Sequence, residues 1–264
     1  MLMNKNSYNK RIILETKKLT KNFGKFSALF EVDLAIREKE ITSLIGPNGA
    51  GKTTFFNAIS GALRPTYGHV FFKGKDISGF PPHKIIKLGL ARSFQVSNIF
   101  SELTVFENIR SAVTARSIAR MNMFKHIDSY NSLYAESMQF LKLVGLEDKK
   151  DFPCPTLSHG DVRAVEIGIT LATQPDLIFL DEPTAGMTPQ ETMGMVDLIK
   201  NLSRQTKTTI FVIEHDMKVV FSISNRIIVL HHGQILADGT PEQIRENSKV
   251  KEAYLGGLTD AGDR

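Results

Sequence analysis

Gly46-Pro-Asn-Gly-Ala-Gly-Lys-Thr-Thr54 is the stretch that decides the fold, because it matches the phosphate-binding pattern Gly-x-x-x-x-Gly-Lys-Ser/Thr. It follows an apolar run, Ile41 to Ile45, and precedes a helix predicted to begin near Gly51. Glycines let backbone N–H groups converge on phosphates, the helix N-terminus adds partial positive charge, and Lys52 supplies a full one. Thr53 offers a hydroxyl to Mg²⁺, which commonly shares its coordination with substrate phosphates. This context predicts nucleoside triphosphate binding rather than a glycine-rich turn that binds nothing.

A second signal is the pair Asp181-Glu182, which closes the apolar run Leu177 to Leu180. In proteins with this loop, the acid that ends such a strand helps to hold Mg²⁺, and beside a cation Asp181 is expected to stay ionised. Glu182 is placed to orient or deprotonate an attacking water, which predicts hydrolysis. Capping of a helix after Pro183 is the alternative for either carboxylate.

His215 ends a third strand-like run, Thr208 to Ile213. Its ring can hydrogen-bond the γ-phosphate or the attacking water. The alternative is a cap or a solvated turn residue, and His215 by itself leaves the two open.

With Leu157-Ser-His-Gly160 lying between the phosphate loop and Asp181-Glu182, the chain resembles the ATP-binding subunits of ATP-binding-cassette (ABC) transporters over nearly its whole length. That resemblance implies two cassettes joined head to tail, each ATP being held between the P-loop of one and the signature loop of the other. Ser158 and Gly160 precede a predicted helix, so their N–H and hydroxyl groups can face an incoming γ-phosphate. The resemblance also implies that Gln95 is the glutamine that senses ATP and Mg²⁺, and that Phe23 stacks on adenine. Phe23 could otherwise be core, since the chain has 17 phenylalanines.

The site residues implied by motif and resemblance fall into four sets. The ATP-binding set is Phe23, Gly46, Pro47, Asn48, Gly49, Ala50, Gly51, Lys52, Thr53, Thr54 and Gln95. The signature set, facing ATP on the opposite cassette, is Ser158, His159, Gly160 and Asp161. The Mg²⁺ set is Thr53, Gln95 and Asp181, and the catalytic set is Glu182 and His215.

Two positions depart from the family pattern. Asp161 stands where the family usually has Gln, and Thr188 stands at the family's usual Asp after the second strand. A carboxylate in the first turn suits the helix dipole, so we expect Asp161 to cap the signature helix and to be held off the triphosphate by a basic neighbour, Arg163 being the nearest in sequence. Three segments resemble those of the branched-chain amino acid importers, and the urea importers are closely related to that group. The segments are Ala185-Gly-Met-Thr-Pro189, Ile213-Glu-His-Asp-Met217 and Tyr254-Leu-Gly256.

Composition restricts the remaining functions. A chain of 264 residues with 42% hydrophobic residues has ample core. No apolar stretch approaches the ~18 residues of a transmembrane helix, and the polar start lacks a signal-peptide core. The single cysteine, Cys154, is interpreted as a small loop residue rather than a nucleophile or metal ligand. The net charge of +5 is modest, and no basic stripe with interleaved aromatics indicates nucleic-acid binding.

The predicted fold is α/β, a P-loop NTPase (RecA-like) core with a mostly parallel sheet, an N-terminal antiparallel β-subdomain and an inserted α-helical subdomain. We assign residues 1–264 to a single ABC ATPase domain, with the core at 1–95 and 156–250, the helical subdomain at 96–155 and a C-terminal tail at 251–264. Predicted strands are 12–17, 32–36, 41–45, 69–72, 177–180, 208–213 and 226–230, with a hairpin at 231–234. Predicted helices are 102–115, 134–144, 161–173, 189–204 and 217–223, with a terminal helix after Pro241.

The predicted function is ATP binding and hydrolysis, coupled to uptake of branched-chain or other hydrophobic amino acids, with ATP and Mg²⁺ as cofactors. The alternatives are a urea or short-amide importer, a soluble ABC ATPase outside transport, and a catalytically silent regulatory cassette. The implied partners are transmembrane permease subunits, a second identical or non-identical ATPase and, indirectly, a periplasmic binding protein, with no nucleic acid. The implied location is the cytoplasmic face of the cell membrane.

Overall fold

The computed structural model describes residues 11–92, 99–118 and 129–259. In chain order its helices and strands are β1 (Ile12–Phe23), β2 (Phe26–Arg37), β3 (Ile41–Ile45), α1 (Lys52–Ile59), β4 (Tyr67–Phe72), β5 (Lys75–Asp76), α2 (Pro82–Lys87), β6 (Leu90–Arg92), α3 (Val105–Ile118), α4 (Ser129–Leu143), α5 (His159–Ala172), β7 (Leu177–Asp181), α6 (Pro189–Gln205), β8 (Thr209–Ile213), α7 (Met217–Ile223), β9 (Arg226–His231), β10 (Gln234–Gly239), α8 (Pro241–Glu246) and α9 (Ser248–Thr259).

The chain forms two compact units, which are described separately. Unit 1 contains Met1–Leu90 and Thr209–Arg264, and unit 2 contains Ala91–Thr208. The predicted domain boundaries at 95 and 155 remain a prediction.

Unit 1 begins with an antiparallel sheet in the order β2-β1-β4-β5. The two long strands β1 and β2 bury one side of the ribbon in an irregular alternation, and register shifts interrupt their pairing. This sheet confirms the predicted N-terminal antiparallel β-subdomain. The sequence prediction recovered only the first half of β1 and the later part of β2, because bulges break the alternation of apolar and polar residues that marks a strand.

The second sheet of unit 1 places β3 between β9 and β8, both parallel to it, with β10 antiparallel on the outer side of β9. Every residue of β3 and of β8 is buried, as expected of parallel strands covered on both faces. Leu44 of β3 pairs with Ile213 of β8, so these two strands end at the same edge of the sheet. The loop at Gly46 and the turn at His215 therefore both leave the carboxyl edge, where ligands bind in such sheets.

Unit 2 contains β6 and β7 as sheet neighbours and a group of packed helices, in which α3 and α4 contact each other and α5. The predicted inserted helical subdomain is confirmed, but its helices begin and end at residues other than those predicted. Helix α3 begins at Val105 rather than near 102 because Thr104 and Glu107 cap each other: the Glu107 N–H donates to the Thr104 hydroxyl at 3.2 Å, and the Thr104 N–H donates to the Glu107 carboxylate at 2.9 Å.

The C-terminal part of unit 1 is helical. Pro241 occupies the first turn of α8, as predicted, behind a capping box made by Thr240 and Gln243. Helix α9 then continues over residues that were predicted as a tail, and Val250 packs with Ile45, Val220 and Ile244 in one apolar cluster. Within the described residues, no helix is both long and apolar enough to cross a membrane.

Candidate nucleotide-binding site

The phosphate loop of unit 1 is a sharp connection between the end of β3 and the start of α1, and two of its glycines have no room for a side chain. A Cβ on Gly51, where φ is +102°, would lie 2.5 Å from the carbonyl oxygen of Ala28. A Cβ on Gly46 would lie 2.2 Å from the carbonyl oxygen of Leu230. These close approaches to backbone explain why glycine is needed here, and they hold the loop over the N-terminus of α1, where phosphate binding is favoured.

Lys52, the first residue of α1, turns its ammonium group back over this loop. Its Nζ donates to the carbonyl oxygens of Gly46 at 2.6 Å and of Pro47 at 3.0 Å. Thr53 is exposed and Thr54 is half-buried on the same first turn. The loop thus presents a positive charge, a helix N-terminus and hydroxyl groups together, as the sequence predicted.

The turn between β9 and β10 supports the phosphate loop from behind. The Gly233 N–H donates to the Ala50 carbonyl at 3.0 Å, and the Gly233 carbonyl accepts from the Phe30 N–H at 2.9 Å. The hairpin itself was predicted from its sequence, but its role as a support for the loop was not. Contacts between segments about 180 residues apart leave no pattern in a single sequence.

Tyr254 of α9 is a second support that the sequence analysis missed. Its ring packs on the apolar cluster containing Ile45, the last residue of β3, and its hydroxyl hydrogen-bonds to the backbone of Gly46. Burial raises the pKa of Tyr254 to about 12, against the effect of the Gly46 backbone. The hydroxyl is therefore neutral at ordinary pH and holds the first residue of the phosphate loop.

His215 and Phe23 are exposed residues at the ends of their strands. The His215 side chain is 64% exposed, and the His215 backbone N–H donates to the carboxylate of the fully buried Glu214 at 3.1 Å. The cap of α7 is Asp216, which accepts from the N–H groups of Lys218 and Val219, so the capping alternative for His215 is wrong. Phe23 is 50% exposed rather than core, and is available for stacking.

Asp181 and Glu182 of unit 2 have different environments at the end of β7. Asp181 is buried, and its carboxylate lies 3.6 Å from the guanidinium of Arg92. Burial lowers the pKa of Arg92, and the Asp181 charge partly opposes that shift. Glu182 is half-buried and has φ of +46°, a strained conformation for a residue with a side chain. Such strain is concentrated at functional sites, where it directs a side chain that the regular strand would aim elsewhere.

The signature segment of unit 2 is the start of α5. Ser158 is the N-cap, and its hydroxyl accepts from the Asp161 N–H at 3.2 Å. The Gly160 N–H donates to the Glu191 carboxylate at 3.1 Å. Glu191 also caps α6, because it accepts from the N–H of Thr188 at 3.0 Å and from the Thr188 hydroxyl at 2.8 Å. The Glu191 carboxylate therefore connects the signature segment to Thr188, the position at which this chain differs from the family pattern.

Asp161 lies in the first turn of α5, but two details of its predicted role were wrong. Ser158, not Asp161, caps the helix. The basic neighbour is Lys149, which hydrogen-bonds the Asp161 carboxylate, whereas Arg163 points elsewhere and pairs with Glu166 at 2.8 Å. Residues two apart on a helix do not face each other, so nearness in sequence was a poor guide.

Gln95 lies outside the described residues. Cys154 is buried, burial raises the pKa of its thiol, and its sulfur accepts a hydrogen bond from Asn108 at 3.2 Å, as suits a packing residue rather than a nucleophile.

The strand, loop and helix around Lys52 define a P-loop nucleotide-binding protein. Comparison with known protein families identifies which kind of P-loop protein it is. A profile of the ABC transporter family matches residues 29–185, and a profile of the branched-chain amino acid ATP-binding cassette transporters matches residues 234–258. The chain belongs to the ABC transporter ATP-binding family.

Two relatives and two solved structures illustrate the similarity. The high-affinity branched-chain amino acid transport ATP-binding protein BraF of Pseudomonas aeruginosa is 41% identical over 254 residues, which cover 93% of this chain and 98% of BraF. LivG of Escherichia coli K12, named for the same transport, is 39% identical over 251 residues, covering 92% and 98%. The ADP-bound cassette MJ1267 superposes with a TM-score of 0.81 at 30% identity, covering 93% and 99%. The dimeric post-hydrolysis cassette MJ0796, with ADP and phosphate, gives 0.71 at 26% identity, covering 87% and 99%.

These findings confirm the predicted fold class and the predicted activity. The protein is an ATP-hydrolysing subunit of a membrane-associated transporter, and the soluble, non-transport alternative finds no support.

Proposed function

We propose that this chain is the ATPase subunit of an importer for branched-chain or other hydrophobic amino acids. The observation that carries the proposal is the match of its last elements, residues 234–258, to the profile of branched-chain amino acid cassettes. The nearly full-length similarity to BraF and LivG supports it. In this arrangement the chain lies against permease subunits at the cytoplasmic face of the membrane, and a periplasmic binding protein delivers the substrate to those permeases.

ATP binds with its phosphates over the loop from Gly46 to Thr54. Lys52 already has its ammonium over the loop carbonyls, so binding exchanges those contacts for phosphate oxygens without a large search of side-chain conformations. Phe23 offers an exposed ring for adenine.

The residues that would hold Mg²⁺ are Thr53 and Asp181, with Gln95 as the third predicted ligand. Hydroxyl, carboxylate and amide oxygens are the donors that this cation prefers. Bound there, it neutralises charge on the β- and γ-phosphates.

Glu182 is the proposed general base, and His215 is proposed to hydrogen-bond the γ-phosphate. Asp181 is buried, whereas Glu182 is half-buried and has a positive φ, so the two adjacent carboxylates have different environments. The exposed ring of His215 leaves the carboxyl edge of the unit 1 sheet, the edge from which the phosphate loop also leaves.

The signature groups Ser158, His159, Gly160 and Asp161 act on ATP bound to a second cassette. The start of α5 can bind an anion, but no phosphate loop adjoins it in the sequence. This is the reason to look for the ATP that it contacts on another chain. Closure of two cassettes around ATP moves the permeases only if ATP binds the closed state more tightly than the open one.

Uptake by whole cells tests the proposal. In a strain lacking this gene, uptake of labelled leucine, isoleucine and valine should fall, and the intact gene should restore it. A gene that encodes Glu182→Gln should not restore uptake, although its protein accumulates and binds ATP. Loss of urea uptake with intact leucine uptake would refute the proposed substrate and favour the urea alternative.

A further inference from the structure

The start of the signature helix already holds an anion from its own chain. The Glu191 carboxylate accepts the Gly160 N–H at 3.1 Å and also hydrogen-bonds the Ser158 hydroxyl. These are the two groups to which the proposed function assigns the γ-phosphate of the opposite cassette. A carboxylate and a phosphate are the same kind of acceptor for a helix start.

The packing around Gly160 shows that this contact is close rather than incidental. A Cβ placed on Gly160 would lie 3.3 Å from both Cβ and Cγ of Glu191 and 3.5 Å from its Oε1. The stem of the glutamate therefore lies directly against the glycine backbone, where only a residue without a side chain admits it comfortably. Both residues also line one cavity of about 410 Å³ in unit 2, together with Ser158 and Asp161.

Glu191 carries its negative charge throughout the physiological range. Hydrogen bonds from the Thr188 backbone, the Gly160 backbone and the Thr188 hydroxyl lower the pKa of Glu191 to about 2. A phosphate that approaches Gly160 therefore meets an ionised carboxylate, and like charges in contact repel each other strongly away from bulk water.

We propose that Glu191 is a positioning residue that occupies the signature groups as an internal substitute for the γ-phosphate, and that ATP on the opposite cassette must displace it. The proposal rests on the proposed function, because it needs the signature segment to meet ATP. One oxygen of Glu191 accepts from Gly160 and the other accepts from Thr188, so displacement releases the contacts with Gly160 and Ser158 and leaves the α6 cap.

The substitution Glu191→Gln tests the proposal without removing the cap. Glutamine serves a capping box as glutamate does, so α6 is retained while the charge is lost. Asp197→Asn is the matched control, because it removes the same charge from the same helix at an exposed residue that lines the same cavity. Both variants are made in the Glu182→Gln background, which holds ATP without hydrolysing it.

Light scattering after size-exclusion chromatography gives the ATP concentration at which half of the protein is dimeric. Glu191→Gln should lower it about tenfold, which corresponds to about 1.4 kcal/mol, and Asp197→Asn should change it less than about twofold. Affinity for ADP should be the same in all variants, because ADP lacks the γ-phosphate. Half-dimerisation at an equal or higher ATP concentration in Glu191→Gln than in the parent would overturn the proposal.

A second measurement covers the case in which ATP binds but no variant forms a dimer. That result would refute a dimer of two identical chains. The role of Glu191 would then be tested by NMR. The Gly160 amide signal of the ¹⁵N-labelled chain is followed while inorganic phosphate is added. A response at about tenfold lower phosphate in Glu191→Gln than in wild type supports displacement. Coincident curves, or no response in either protein, overturn it.

Discussion

Gly233→Ala is the sharpest test of how the phosphate loop is supported, because the chain contains a matched control. The turns Lys73-Gly74 and His232-Gly233 are both two-residue hairpin turns with positive φ at both positions, 51° and 77° in the first and 46° and 75° in the second. This is the turn type that hairpins prefer. The second turn contacts the phosphate loop, through the Gly233 N–H and the Ala50 carbonyl.

The magnitude follows from what the added methyl group meets. Alanine in a left-handed conformation costs about 1–2 kcal/mol in either turn. At Gly74, no atom of the described chain lies within 4 Å of an added Cβ, whereas at Gly233 the Cβ would lie 2.7 Å from the Ala28 carbonyl oxygen. Relief requires the turn to move away, which disturbs the two backbone hydrogen bonds of Gly233, each worth about 0.5–1.5 kcal/mol. Gly233→Ala should therefore lose about 1–3 kcal/mol more stability than Gly74→Ala.

Urea unfolding and calorimetric titration with ADP measure the two consequences. Gly233→Ala should bind ADP about tenfold more weakly, the equivalent of about 1.4 kcal/mol, because the loop loses its support at Ala50. Gly74→Ala should bind as wild type does while showing only the shared loss of stability. Equal losses of stability and equal ADP affinities in the two variants would refute the support by the β9–β10 turn.

Three further predictions concern the chemistry and the signature segment. Glu182→Gln should retain ATP binding and lose turnover by at least about 10²-fold, and hydrolysis at the wild-type rate in a phosphate-release assay would refute the base assignment. Asp161→Gln should retain ATPase activity and lose at most about 1 kcal/mol in urea unfolding, since Ser158 caps the helix and the ion pair with Lys149 is partly exposed; a folded, ATP-binding but inactive variant would show a direct role. The hydrogen bonds that depress the pKa of Glu191 stabilise the fold fully above about pH 4.5 and progressively less as the pH falls towards 2. The difference in unfolding free energy between wild type and Glu191→Gln should therefore become smaller between pH 5 and pH 3. A difference that does not depend on pH would contradict the assignment.

Much of the fold could be predicted because its signals are local. Strand β3 and helix α7 have the predicted bounds, since an unbroken apolar run and a 3.6-residue period need only neighbouring residues. The bounds of β1 and β2 were missed because bulges interrupt their pattern, and the start of α3 was missed because a cap at Thr104 takes precedence over apolar spacing.

The sequence by itself determined the chemistry of the phosphate loop, since the glycines, Lys52 and Thr53 all lie within one short segment. It also determined the order of the motifs, and thereby the family. The tertiary structure decided which distant groups serve those motifs. Tyr254 and Gly233 support the loop, Lys149 rather than Arg163 pairs with Asp161, and Glu191 fills the signature groups. These contacts depend on side-chain direction and on packing between segments far apart in the chain, and neither leaves a periodic trace in a single sequence.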